Sequence, residues 1–141
     1  GWAKPVPYNP YNLKNQRSGT FIVAIAGVFT NFLIALFFGL LIRFSGELGI
    51  GSQAFLEIAS MVIFVNVLLG VFNLIPIPPL DGSKVLFSLL SPALYYIEEF
   101  LGRYSIILLI LLIFFLWRLV LPAVYFLFAL FSGISLGILG I

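Results

Sequence analysis

From Thr20 to Ile42 the sequence TFIVAIAGVFTNFLIALFFGLLI runs for 23 residues without one ionisable side chain. A helix rises about 1.5 Å per residue, so this run can cross a hydrocarbon layer about 30 Å thick. In that solvent each peptide N–H and C=O must be satisfied inside the segment, which dictates helix. A second uncharged run of 18 residues, Ile58 to Ile75, predicts another span and leads straight into three prolines. The last 38 residues, Tyr104 to Ile141, carry no charge except Arg118. One straight helix of that length would measure about 57 Å, far more than a bilayer core, so the run must bend or turn back. The expectation is a span ending near Trp117 to Ala123, with a possible return span behind it. The fold class is therefore all-α, with three to four transmembrane helices.

Composition fixes the solvent. With 62% hydrophobic and 9% charged residues, a water-soluble domain of this length would expose large apolar patches. The chain is expected to be an integral membrane protein, with the lipid bilayer as its first partner. Seven basic and five acidic residues, dispersed and summing to +2, cannot form the clustered basic face that nucleic acid requires. Cysteine is absent, so disulfides, thiolate metal sites and cysteine nucleophiles are excluded. Histidine is absent as well, and with it the usual general base near neutral pH and the commonest zinc ligand. The sequence opens on Gly1 with no signal-peptide pattern and reads as a piece of a longer protein.

The chain forms one membrane domain, residues 1–141. Residues 1–18, with three prolines and three asparagines, suit an extended interfacial segment rather than a long helix. Spans are expected over 20–42 and 58–75, a broken-helix motif and interfacial connector over 76–103, and the final apolar run over 104–141. Lys4, Lys14 and Arg17 precede the first span, and Lys84 and Arg103 follow the second. The link between the spans holds only Arg43 beside two glutamates. The bias of basic residues toward the cytoplasm then places Gly1 and Asp81 on that side, and the membrane expected is the cell (inner) membrane.

The stretch NLIPIPPLDG, residues 73–82, is where chemistry can reside. Pro76, Pro78 and Pro79 lack N–H groups and disfavour helix for the residues before them, so the second span must unwind near Ile75. Irregular backbone at membrane depth is tolerated where it is buried in protein or lines a wet cavity. Asp81 is the sole aspartate of the chain, and an aspartate near the centre of a bilayer costs about 2.5–3.5 kcal/mol. It reads either as the N-cap of a helix beginning at Gly82 or as a metal ligand or proton carrier. Gly82 permits a sharp turn or a close approach beside it. Asn31 and Asn73 read as hydrogen-bonding glue between helices, or Asn73 as a donor toward substrate or a developing oxyanion. Asn66, seven residues before Asn73, shares a helix face with it. Gly27, Gly39 and Gly70 permit close helix contact.

NLIPIPPLDG resembles the N-x-x-P-x-P-x-x-D-G signature of the site-2 protease family, intramembrane zinc metalloproteases, with the motif asparagine at Asn73 and the ligand aspartate at Asp81. GWAKPVPYNPYN looks like the segment that follows the first catalytic helices in short members. AGVFTNF is similar to the family's A-G-P-x-x-N, with Val28 in place of the proline. The likeness covers residues 1 to about 91 and extends to the rest only in general character.

The resemblance implies zinc held by two histidines of an upstream H-E-x-x-H helix and by Asp81, with the glutamate of that helix as general base. It implies a transmembrane protein or peptide as substrate, N-terminal helices of the same protein as partners, and a catalytic role for Asn73 in orienting substrate or stabilising a tetrahedral intermediate. Having no histidine, this chain alone is expected neither to hold zinc nor to cleave peptides. Two other functions compete: a transporter or channel segment in which Asp81 binds a cation or proton, and a catalytically dead membrane scaffold.

Overall fold

A computed structural model of the chain describes residues 10–134, and every regular element among them is helical. The elements are α1 (Pro10–Arg43), α2 (Gln53–Asn73), α3 (Asp81–Leu89), a 3-10 turn at Pro92–Leu94, α4 (Tyr95–Arg103) and α5 (Ser105–Ser132). Arg17–Arg43 of α1 and the whole of α2 are long and apolar enough to cross a membrane, and the two arms of α5 together make a third candidate. That gives two to three candidate spans where the sequence suggested three to four.

Three boundaries differ from expectation for local reasons. Residues 10–18, read as extended, continue α1 to 34 residues. Pro10 begins the helix, where its absent N–H would have had no partner anyway, and no proline follows before Pro76. Residues 1–9 of the expected interfacial segment lie outside the described residues. The second helix starts at Gln53, five residues before the uncharged run, because Ser52 caps it: its Oγ accepts from the Phe55 N–H at 3.3 Å. Glu57 then sits on an exposed turn and accepts from Gln53 at 3.0 Å. Finally, α5 runs through Trp117 to Ala123 without reversing, its arms Ser105–Phe115 and Val120–Ser132 meeting at 64°. The Trp117 side chain and residues 135–141 lie outside the described residues.

Apolar stripes at helical spacing make the core. Ala59, Ile63 and Val67 of α2 interlock with Ala35 and Ile42 of α1 and with Val120, Val124 and Phe128 of α5. Without a hydrophobic drive between helices in lipid, close packing has to supply the attraction, and small residues allow it. Gly70 faces the Phe32 ring so tightly that a Cβ there would lie 2.8 Å from it, and a Cβ on Gly39 would strike the Phe131 carbonyl. At the end of α1, Arg43 donates through Nε to the Phe131 carbonyl at 3.2 Å and through Nη2 to that of Leu130. It thereby satisfies carbonyls that the last turn of α5 leaves open. Gly133 closes that helix with φ 71°, a left-handed conformation that suits glycine.

Contacts along α1 give the direction of the next elements. Phe32 meets Gly70 of α2, Gly27 meets Asp81 at the start of α3, and Arg17 meets Phe87 near its end. So α2 descends along α1 from the Arg43 end, breaks, and α3 carries on in the same direction to the Arg17 end. There the Arg17 guanidinium donates to the Phe87 carbonyl at 3.3 Å, pairs with Glu98 of α4 at 3.4 Å, and lies 4.4 Å from the centre of the Tyr95 ring.

Candidate metal ligand at a broken span

Helix α2 stops at Asn73, with Leu74 as cap and its N–H on the Gly70 carbonyl at 3.2 Å. Through the prolines the remaining N–H groups turn onto near neighbours: Ile77 to the Ile75 carbonyl at 2.9 Å and Leu80 to that of Ile77 at 3.0 Å. Such tight turns satisfy donors that unwinding would otherwise leave bare. The Pro78–Pro79 peptide is cis. Helix α3 then starts hard against the broken end, since a Cβ on Gly82 would overlap the Leu74 and Ile75 carbonyls. The glycine is there for close approach; its φ is not in the left-handed region. Buried Ser83 fixes the same turn, its Oγ donating to the Leu80 carbonyl at 2.7 Å.

Asp81 is the first residue of α3, and the N-cap position falls to Leu80, which has no side-chain oxygen to offer. The capping reading of Asp81 is thereby corrected: leaving the chain at ψ 153° belongs to Leu80, and the carboxylate is free for other contacts. Oδ1 accepts from Lys84 Nζ at 2.7 Å, one helical turn on. Oδ2 faces Gly27 on α1, 3.8 Å from where a Cβ would stand. Ten residues of α1 separate Gly27 from Arg17, about 15 Å of helix, so the carboxylate lies well inside the bundle's length. Its side chain keeps 31% of its surface exposed. It is accessible at depth, as a ligand must be.

The structure brings Asp81 together with the AGVFTN stretch through Gly27, while Asn31 follows one turn later on the same helix. It does not bring Asn73 to Asp81 by any hydrogen bond among the described residues, and half-buried Asn31 and Asn73 bond to no other helix there. Asn66 spends its amide within α2, donating to the Val62 carbonyl at 2.8 Å. The glue reading of these amides thus has no interhelical bond behind it. Two residues escaped the sequence reading except as charges to be counted. Lys84 follows Asp81 by three residues, a spacing that predicts an ion pair on any helix. Arg17 pairs with Glu98 across 81 positions, for which no local pattern exists.

As to zinc, the donor chemistry fits in part. A carboxylate with one oxygen unbonded is an ordinary zinc ligand. Among the described residues, however, no three of His, Cys, Asp or Glu stand close enough to hold a metal, and the chain contains neither histidine nor cysteine. Asp81 fits one coordination position, and the others require donors that this sequence does not contain.

A bundle of apolar helices whose second span breaks at prolines to present a carboxylate defines a polytopic membrane protein with a candidate metal position. Residues 42–116 match the profile of Peptidase family M50, and the chain belongs to that family, the site-2 type zinc metalloproteases. It is 35% identical over 97 residues to YwhC of Bacillus subtilis (strain 168), which bears the provisional name of a zinc metalloprotease; the match takes in 65% of this chain and 44% of that protein. A protein of Thermotoga maritima with the same provisional name is 30% identical over 122 residues, 78% of this chain and 24% of its own length. One from Streptococcus pyogenes serotype M1 is 29% identical over 76 residues, 54% of this chain and 18% of its length. The chain thus spans less than half the length of these relatives. No solved structure matches it significantly.

Proposed function

We propose that this chain is the part of an intramembrane zinc metalloprotease that supplies the third zinc ligand, Asp81, while an H-E-x-x-H helix elsewhere in the complete protein supplies two histidines and the general base. The observation that carries the reading is a half-buried carboxylate, one oxygen of which accepts no hydrogen bond among the described residues, at the proline break of a membrane-length helix in a chain of family M50. Bound zinc contributes a Lewis acid and a water acidic enough to attack a peptide carbonyl near neutral pH. This chain's residues do the holding and shaping. Asp81 fixes one ligand direction, Gly82 seats the start of α3 against the broken end, and the unwound Leu74–Leu80 segment shapes the site beside the carboxylate.

Asn73, at the last turn before the break, orients the substrate or donates to the tetrahedral oxyanion. Substrates are membrane-embedded proteins or peptides, and the enzyme sits in the cell membrane with Gly1 and Asp81 toward the cytoplasm. The chain alone is inactive, since it has no imidazole. Cleavage of a membrane-embedded reporter by the complete protein tests the roles. Asp81→Ala abolishes it, and Asn73→Ala lowers kcat by about 10²–10³, the usual cost of losing one oxyanion donor. Full turnover by Asn73→Ala removes its catalytic role, and full turnover by Asp81→Ala removes the ligand.

A further inference from the structure

We propose that Asn31 is a substrate-binding residue: with Asn66 and Asn73 it lines a polar seam between α1 and α2 that leads to Asp81, and the seam receives the backbone of a transmembrane substrate as it unwinds. This rests on the reading of the complete protein as an intramembrane protease. Direction round the helices carries it first. On α2, Gly70 faces Phe32 of α1, while Phe64, whose ring lies beside those of Tyr125 and Phe128, faces α5. A helix turns about 100° per residue, so Asn66 and Asn73 stand about 40–60° from Gly70 in the sense opposite to Phe64. On α1, Gly27 faces Asp81 and Gly39 faces Phe131 of α5. These two directions are about 120° apart, and Asn31 stands between them, about 40° from Gly27. All three amides therefore border the contact of α1 with α2 on the side away from α5.

Their levels along the bundle agree. Asn31 adjoins Phe32 and so lies level with Gly70. Asn66 and Asn73 lie about 6 Å and 4.5 Å to either side of Gly70 along α2. Gly27, and with it Asp81, follows about 6 Å beyond Asn31, in the direction toward which α1 side chains lean. The amides are half-buried in helices long and apolar enough to cross a membrane. Among the described residues Asn31 and Asn73 have no hydrogen-bond partner, Asn66 donates only to Val62, and no side-chain polar atom without a partner is fully buried. The unbonded amide atoms are thus open to an occupant. A transmembrane helix that unwinds frees N–H and C=O groups that lipid cannot satisfy. A carboxamide, with two N–H donors and a C=O acceptor, complements both. The side of α2 that meets α5 offers only Ala59, Ile63 and Val67.

The test is disulfide trapping in the complete protein, stripped of metal so that substrate is not consumed and freed of other cysteines. Asn31→Cys, Asn73→Cys and, as a control on the lipid side, Phe29→Cys are each oxidised with a membrane-embedded reporter carrying one cysteine at successive positions of its span. Asn31→Cys and Asn73→Cys are expected to trap the reporter and Phe29→Cys not to. No trapping by Asn31→Cys, or equal trapping by Phe29→Cys, overturns the proposal. Trapping by Asn73→Cys with Asn31→Cys silent removes the seam and leaves the protease reading intact; that reading fails separately, if the natural complete protein shows no zinc-dependent cleavage of the reporter. Should Asn31→Cys not fold, kinetics of Asn31→Ala decide. Loss of one hydrogen bond to bound substrate is expected to raise KM about three- to tenfold with kcat nearly held, and Asn31→Gln to recover part of it. An unchanged KM overturns the proposal.

Discussion

At Gly82 the reason for the residue is the carbonyl oxygens of Leu74 and Ile75, which occupy the place of a side chain. Backbone of this kind cannot rotate aside as a flexible side chain would. Gly82→Ala is therefore expected to push α3 off the broken end of α2 at a cost near the upper part of the ~1–3 kcal/mol range for overpacking. Thermal unfolding in detergent would show it as a lowered midpoint, and an unchanged midpoint would mean that the two ends are not in contact. Much of this was legible in the sequence, because prolines and a glycine beside an acid state their backbone demands locally. What stayed hidden was the role of the acid. Capping and ligation ask for the same residue at almost the same position, and only the backbone angles of Leu80 assign the cap one residue earlier. The partner oxygen of Gly27 was equally unreadable, since it depends on which face of α1 meets α3.

The three long helices were recognisable from their runs almost without charge, but their ends follow hydrogen bonds that hydropathy does not see. Ser52 starts α2 within a polar stretch, and the bend of α5 falls in an apolar run with a proline only at its far side, Pro122. The contact that seats α5 is likewise nonlocal: Arg43 reaches the carbonyls of Leu130 and Phe131, some 87 positions on. A cation at a helix C-terminus is favourable and satisfies carbonyls that have no intrahelical donor. Arg43→Gln should thus cost about 1–2 kcal/mol and free the end of α5, with Arg43→Lys recovering part of it. Hydrogen exchange at residues 128–133 would report it, and unaltered protection there would show that Gly39 and the core suffice.

For the whole molecule, the bundle has two ends of different character. At one, Arg17 ties α1 to α3 and α4, and at the other Arg43 ties α1 to α5, with the loop from Phe44 to Ser52 between α1 and α2. Basic residues favour the Arg17 end as cytoplasmic. Protease added to sealed vesicles from the outer, non-cytoplasmic face should then cut the 44–52 loop, and cutting only from the cytoplasmic face would invert the arrangement. Fold class and family likeness were legible at this scale because a bilayer permits few structures and the motif is contiguous. The completed metal site was not, since two of its three expected protein ligands lie in no part of this sequence.

The central claim is that the carboxylate at the broken span grips a metal jointly with groups from the rest of the protein. Zinc content of the purified complete protein tests it most directly. The account predicts a stoichiometric ion that is lost in Asp81→Ala while the variant stays folded; a folded Asp81→Ala protein that keeps its zinc would contradict it.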